Sequence, residues 1–300
     1  MSATTSTTHV MRRFLVTLAV AVTTLAVVGQ PSTAATGAHT RAASAVQPLA
    51  QAHAHNDYEH TRPLFDALDH GFTSVEADVW LVNGELLVAH DLADVQPGRT
   101  LDSLYLDPLQ RRIAANGGSV YPGWRGSLQL LIDVKSEAET TYAAVNRALR
   151  DHAGIMTTFV RNSRMRRGPV TAVISGNRTL QTMQQQDVRY AGYDGRLSDL
   201  DSGLSPAVMP LVSDNWTNHF TWQGQGEMPV DERAKLRDIV ERAHASGYRV
   251  RFWATPDEPG AARDAVWSEL LDAGVDHINT DDLAGLQQFL QQRQAGDGAA

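Results

Sequence analysis

From residue 48 onward the apolar positions fall into two alternating rhythms. Short, nearly continuous apolar runs read as strands buried on both faces; between them, apolar residues recur three and four apart, as on a helix with one face on a core. Strand-like runs fall at 49–54, 73–79, 128–134, 170–175, 188–192, 207–212, 248–254 and 275–279. Helical patterns stand out at 62–70, 138–151, 231–246 and 260–273, three of them closed by Gly71, Gly247 or Gly274 just before a strand, as a left-handed helix cap requires. The extra run 86–89 follows Asn83-Gly84, a hairpin turn signal, so it doubles back beside the second strand and adds no barrel strand of its own. Such alternation makes a parallel α/β sheet, and eight units within about 250 residues predict a single TIM-type (β/α)8 barrel over a doubly wound sheet. The fifth and sixth strands are the most weakly marked, and no internal repeat is visible.

The first residues have another character. Arg12 and Arg13 precede an apolar run at 14–28, then Gln30, Pro31 and small residues, the layout of a secretory signal peptide. The run is shorter than the roughly 20 residues of a membrane span. The expected organisation is a signal peptide at 1–35, with 1–10 read as a mis-assigned start, a linker at 36–47, the barrel at 48–292 and a disordered tail at 293–300. The destination is extracellular. Hydrophobic residues make up 42% and charged residues 20%, which excludes a disordered chain. A net charge of -8 argues against nucleic acid as the main partner. With no cysteine there is no disulfide, lipid-anchored cysteine or thiolate site, so any metal must take oxygen or imidazole ligands.

A barrel of this kind does its chemistry at the C-terminal ends of its strands. Those ends read His53-Ala54-His55-Asn56-Asp57, Glu76-Ala77-Asp78, then His90-Asp91 on the hairpin, and Asp133-Val134-Lys135. Glu76 and Asp78, two apart on a strand, leave the same face, and Asp133 on the next strand makes a third carboxylate. Close carboxylates repel unless a proton or cation joins them, and an all-oxygen set suits one hard divalent ion, Mg2+ or Ca2+. Lys135 is the one cation this spacing puts beside them. His55 and His90 are the acid/base candidates, whereas the side chain of His53 is expected opposite to or above the site. Arg178 follows the fourth strand, and Arg251 and Trp253 share a face of the seventh. The structural alternatives are plain: strand-end acids such as Asp281 cap the following helix, Glu76 pairs with a buried cation, and Trp253 is barrel packing.

These motifs resemble the phospholipase C-like phosphodiesterase superfamily, which contains the glycerophosphodiester phosphodiesterases. His55-Asn56-Asp57-Tyr58-Glu59-His60, Ser74-Val75-Glu76-Ala77-Asp78-Val79 and Leu87-Val88-Ala89-His90-Asp91 are most similar to the group named after Altered inheritance of mitochondria protein 6, over roughly residues 49–292. The resemblance implies His55 and His90 as general acid and base, Glu76, Asp78 and Asp133 as ligands of one divalent cation, Lys135 on the phosphate and Trp253 as an apolar wall; Arg178 and Arg251 are further phosphate-binding candidates from their places at strand ends. Two motifs depart from the glycerophosphodiester pattern. His55-Asn56-Asp57 stands where that group has His-Arg-Gly, and Asp133-Val134-Lys135 replaces Glu-x-Lys with the form of the sphingomyelinase D group. The expected activity is a secreted, metal-dependent phosphoric diester hydrolase acting on a glycerophosphodiester or phospholipid, with a sphingomyelinase D-like phospholipase as the alternative. The expected partner is a small-molecule or lipid phosphodiester, with transient membrane-surface contact through the aromatic, Gly-rich segment 215–226 and no obligate protein partner. A glycoside hydrolase needs no Lys or histidine pair beside its carboxylates, and a decayed, non-catalytic barrel usually drops a ligand; both are the rival classes.

Overall fold

The computed structural model describes residues 46–161 and 165–297; the expected signal peptide and nearly all of the linker lie outside them. Eight parallel strands form the sheet: β1 (Leu49–Ala54), β2 (Phe72–Val82), β3 (Leu128–Val134), β4 (Val170–Gly176), β5 (Ala191–Gly195), β6 (Leu211–Asn215), β7 (Arg249–Trp253) and β8 (His277–Thr280). They pair in chain order, and β1 closes the circle by pairing with both β8 and β2. This is the single (β/α)8 barrel the alternation predicts. A hairpin strand, Glu85–Val88, runs antiparallel to the far end of β2, and Asn83 (φ 51°) and Gly84 (φ 90°) make the tight turn that loop demands.

The period of two decides what each strand contributes. On β2, Val75, Ala77 and Val79 face the helices, and all three are fully buried. Ser74, Glu76 and Asp78 face the barrel axis instead. Helix α1 (Ala138–Asp151) lies where its spacing predicts, buries Tyr142, Val145 and Leu149 along one face, and is capped by the Glu137 carboxylate, which accepts from Glu139 N and Thr140 N.

Two strands sit later than the apolar runs indicate. β5 is Ala-Gly-Tyr-Asp-Gly, whose residues are all buried but poor in β-branched character, and β6 begins only after Pro210, which cannot donate to a ladder. The last helix, α2 (Leu283–Asp297), also runs past the expected boundary at 292. Leu286 and Leu290 anchor it to the core and Arg293 pairs with Asp272, so residues 293–297 are helical and not a disordered tail. In segment 215–226, Trp216 stacks on Phe220 with ring centroids 4.0 Å apart, and both rings and Trp222 are buried, so its aromatic surface faces the protein. Among the described residues no helix is long and apolar enough to cross a membrane.

The axis itself is unusual. A small apolar plug, Leu131, Val173 and Leu211, fills one side. The other side is a polar column: Arg249 Nη2 donates to Gln129 Oε1 (2.7 Å), Gln129 Nε2 donates to Ser74 Oγ (2.9 Å), and His53 Nδ1 lies 2.6 Å from Ser74 Oγ. The expected position of His53 is thus corrected. It shares the inward face with His55, two residues on, but lies fully buried beneath the mouth.

Candidate active site

The C-terminal mouth opens on a pocket of about 210 Å3 whose lining includes His55, Glu76, His90, Asp133, Lys135, Arg251 and Trp253. Parallel pairing sets the carboxylates: Asp78 on β2 is in register with Asp133 on β3, and Glu76 is one inward position below Asp78. One oxygen from each of the three lies within 4.8 Å of the others. Gly176 ends β4 with φ 65°, and a Cβ there would come within 2.0 Å of Asp133 Oδ1, so only glycine leaves room for that carboxylate.

Each carboxylate has a different neighbourhood. Glu76 Oε2 accepts from Arg251 Nη2 at 3.0 Å and lies 3.3 Å from His53 Nε2. Burial works to raise its pKa, but the Arg251 charge and the His53 contact outweigh this and hold Glu76 well below the usual carboxylate range. The same burial, with Arg251 close by, pushes His53 down to about 4, so its ring is neutral. Asp78 Oδ2 takes the Lys135 ammonium (2.9 Å) and the Tyr58 hydroxyl (2.8 Å), while its Oδ1 is buried with no hydrogen-bond partner among the described residues. Burial and the charge of Glu76 raise Asp78, with Lys135 opposing. Among the described residues Asp133 has only the more distant Lys135 Nζ at 3.7 Å; burial, then Glu76 and Asp78, push it up to about 7. A buried carboxylate oxygen without a donor and an acid driven towards its proton mark crowded carboxylates whose repulsion a cation would relieve. The donor set therefore fits one hard divalent cation on Glu76, Asp78 and Asp133.

The histidines differ too. His55 follows β1 on a turn where Asn56 takes the left-handed conformation (φ 45°), and His55 Nδ1 lies 2.9 Å from Asp281 Oδ1. Burial works to lower the His55 pKa, but the Asp281 hydrogen bond and the charge of Glu76 raise it overall. His90, by contrast, is exposed at the end of the hairpin, whose carbonyl there accepts from Trp80 Nε1 at 3.3 Å.

Lys135 is not the only cation at this mouth. Arg251 reaches Glu76 from β7 and donates Nε to Asn279 Oδ1 (2.9 Å). Arg196 also lines the pocket; its Nη1 donates to the buried Asp194 at 2.9 Å, and its guanidinium lies over the Trp253 ring, 4.8 Å from the centroid. Arg178 stands apart: it donates to the Asp194 carbonyl, lies over Tyr193, and lines a neighbouring groove that shares Lys135. Asp281 is the residue the sequence reading misassigned. Its neighbour Asp282 caps α2 by accepting from Gly285 N, which leaves Asp281 free to orient His55. Two consecutive acids after a strand, where one cap suffices, were the available signal. Asp194 lies beyond the apolar run at 188–192, which stops short of the last three residues of β5.

Against known proteins, a family model described as AIM6-like phosphodiesterase domain matches residues 40–194, the stretch holding His55, Glu76, Asp78, His90, Asp133 and Lys135. A second model, the Glycerophosphoryl diester phosphodiesterase family, matches residues 249–284, which hold Arg251, Trp253 and Asp281. Altered inheritance of mitochondria protein 6 from Eremothecium gossypii is 32% identical over 275 residues, covering 81% of this chain and 70% of that one. Its homolog from Arthroderma benhamiae is 30% identical over 254 residues, covering 77% of this chain and 81% of that one. A solved glycerophosphoryl diester phosphodiesterase from Parabacteroides distasonis ATCC 8503 aligns with a TM-score of 0.47 and 12% identity, over 84% of this chain and 88% of that one. The chain belongs to the AIM6-like phosphodiesterase family.

Proposed function

We propose that this chain is an exported phosphoric diester hydrolase that acts on a glycerophosphodiester or phospholipid and uses one divalent cation, Mg2+ or Ca2+. The observation that carries this reading is the meeting of His55, His90, the Glu76-Asp78-Asp133 trio and Lys135 around one small pocket. Opening a phosphodiester needs charge beside the non-bridging oxygens, a base for the attacking hydroxyl and an acid for the leaving alkoxide. Bound to the trio, the cation would supply positive charge for the phosphoryl oxygens. Lys135, Arg196 and Arg251 hold and orient the anionic diester from the surrounding wall, with Trp253 as its apolar side. His55 donates Nδ1–H to Asp281, which leaves Nε2 to take or give a proton at the reacting oxygens. His90, on the hairpin, handles the other proton. Where the substrate carries a hydroxyl next to the ester, that hydroxyl attacks and a cyclic phosphate forms; otherwise water attacks.

The test is hydrolysis of bis(p-nitrophenyl) phosphate with and without EDTA, beside an aryl glycoside, followed by a panel of a glycerophosphodiester, a lysophospholipid and sphingomyelin. Phosphodiester cleavage abolished by EDTA and restored by Mg2+ or Ca2+ is expected. Cleavage of the glycoside, or a rate indifferent to chelation, overturns the reading; preference for sphingomyelin moves the substrate to the sphingomyelinase D type, which Asp133-Val134-Lys135 favours.

A further inference from the structure

The opposite mouth of the barrel carries a second cavity, of about 560 Å3, walled by Ser127, Thr171, Ser205, Pro206, Arg167 and Arg249 among others. That volume lies in the range of small-molecule sites, roughly 300–1,000 Å3. These residues precede or begin β3, β4, β6 and β7, so the cavity lies at the N-terminal ends of the strands, away from the carboxylate trio. Two arginines face it and, among the described residues, no acidic side chain lines it, in a chain whose net charge is -8.

Arg249 forms no ion pair among the described residues. Its Nη2 donates to the neutral Gln129 amide (2.7 Å) and its Nη1 lies 3.2 Å from His277 Nε2, a ring that burial first and Arg249 second hold neutral. The carboxylate that acts on it electrostatically, Asp276, is held elsewhere, by His244 Nε2 at 2.9 Å and Val250 N at 2.8 Å. Burial and the like charge of Arg167 both work against the charged form of Arg249. Arg167 is exposed and forms no ion pair among the described residues. Hydroxyls complete the wall: Ser127 Oγ bonds Thr171 Oγ1 at 2.7 Å, and Ser205 stands nearby.

The geometry points to a binding site at the N-terminal mouth for a small organic dianion of the phosphate monoester class, held by Arg249 and Arg167. Two guanidinium groups without a carboxylate match a charge of about -2, which a phosphate monoester carries near neutral pH and a carboxylate does not. Hydroxyl donors suit its remaining oxygens, while Pro206, Pro210 and Met165 offer apolar contact for an organic substituent.

Phenyl phosphate, titrated by calorimetry into the full chain in EDTA, tests this. Saturable one-to-one binding is expected, retained in Lys135→Met, which disarms the catalytic mouth, and weakened about tenfold or more in Arg167→Glu through loss of a charge-assisted contact. Benzoate, with one charge, should bind at least about tenfold more weakly than phenyl phosphate. Arg167 is exposed, so its replacement leaves folding intact, and a melt of the variant checks this. Non-saturable binding overturns the site, as does equal affinity for benzoate. Binding lost in Lys135→Met but kept in Arg167→Glu assigns the anion to the catalytic mouth and equally overturns it.

Discussion

Asp133→Asn separates a carboxylate kept for a cation from one kept for the fold. Asp133 lies in register with Asp78, and burial, then Glu76 and Asp78, raise it from an ordinary 3.8 to about 7. The folded protein therefore holds this proton more tightly than the unfolded chain does. Stability from this group is complete below the unfolded pKa and is lost as pH rises from about 4 through about 7, by roughly 4 kcal/mol once both states are ionised. Asn keeps the shape and removes the charge. In EDTA, wild type and variant should match within about 1 kcal/mol near pH 4, while near pH 8 the variant should be more stable by about 2 to 4 kcal/mol. Mg2+ or Ca2+ should narrow that gap: a hundredfold excess over Kd stabilises wild type by about 2.7 kcal/mol, and the variant by less. Urea melts at the two pH values, with chelator and with metal, measure all four quantities, and phosphodiester turnover should be lost in the variant. An Asp133→Asn protein less stable than wild type near pH 8 in EDTA would show a paired, structural carboxylate and refute the reasoning.

Four further outcomes follow from the same geometry. Glu76→Gln should behave oppositely to Asp133→Asn: it leaves the buried Arg251 without its carboxylate, so the melt in EDTA should fall by about 3 to 5 kcal/mol, and Glu76→Leu with Arg251→Met should recover part of that loss; an unchanged melt would contradict the pairing. His90→Ala, on an exposed side chain, should lower kcat by about 100-fold with an unchanged Tm, and wild-type kcat would remove His90 from the mechanism. Gly176→Ala should displace the Asp133 carboxylate and weaken metal affinity measured by calorimetry, and an unaltered affinity would discount Asp133 as a ligand. N-terminal sequencing of secreted protein should begin near residue 35, whereas recovery of residues 14–28 in the membrane fraction would make that run an anchor.

Much of this was legible in the chain because the barrel repeats one rule. Strands at 49–54 and 128–134 and the helix at 138–151 appear at the positions their apolar spacing gives, and the Glu76-Ala77-Asp78 alternation alone puts two carboxylates on the axis. What stayed hidden is long-range. Arg251 meets Glu76 across 175 positions, and Asp281 meets His55 across 226, so neither pair leaves a local pattern. β5 differs for another reason: a strand with two glycines that ends in Asp194-Gly195 carries little hydrophobic signal, although every residue in it is buried.

The polar column down the axis has a consequence for how such a chain can change over generations. A greasy interior tolerates drift one methylene at a time, since one aliphatic residue substitutes for another at modest cost. Here Arg249, Gln129, Ser74 and His53 are each both tenant and landlord: a single replacement strands the neighbour that depended on it. Effects at these four positions should be strongly non-additive, with double replacements milder than either single would suggest. Lineages should thus cross between alternative interiors in paired steps, and the identities of these residues should travel together or not at all.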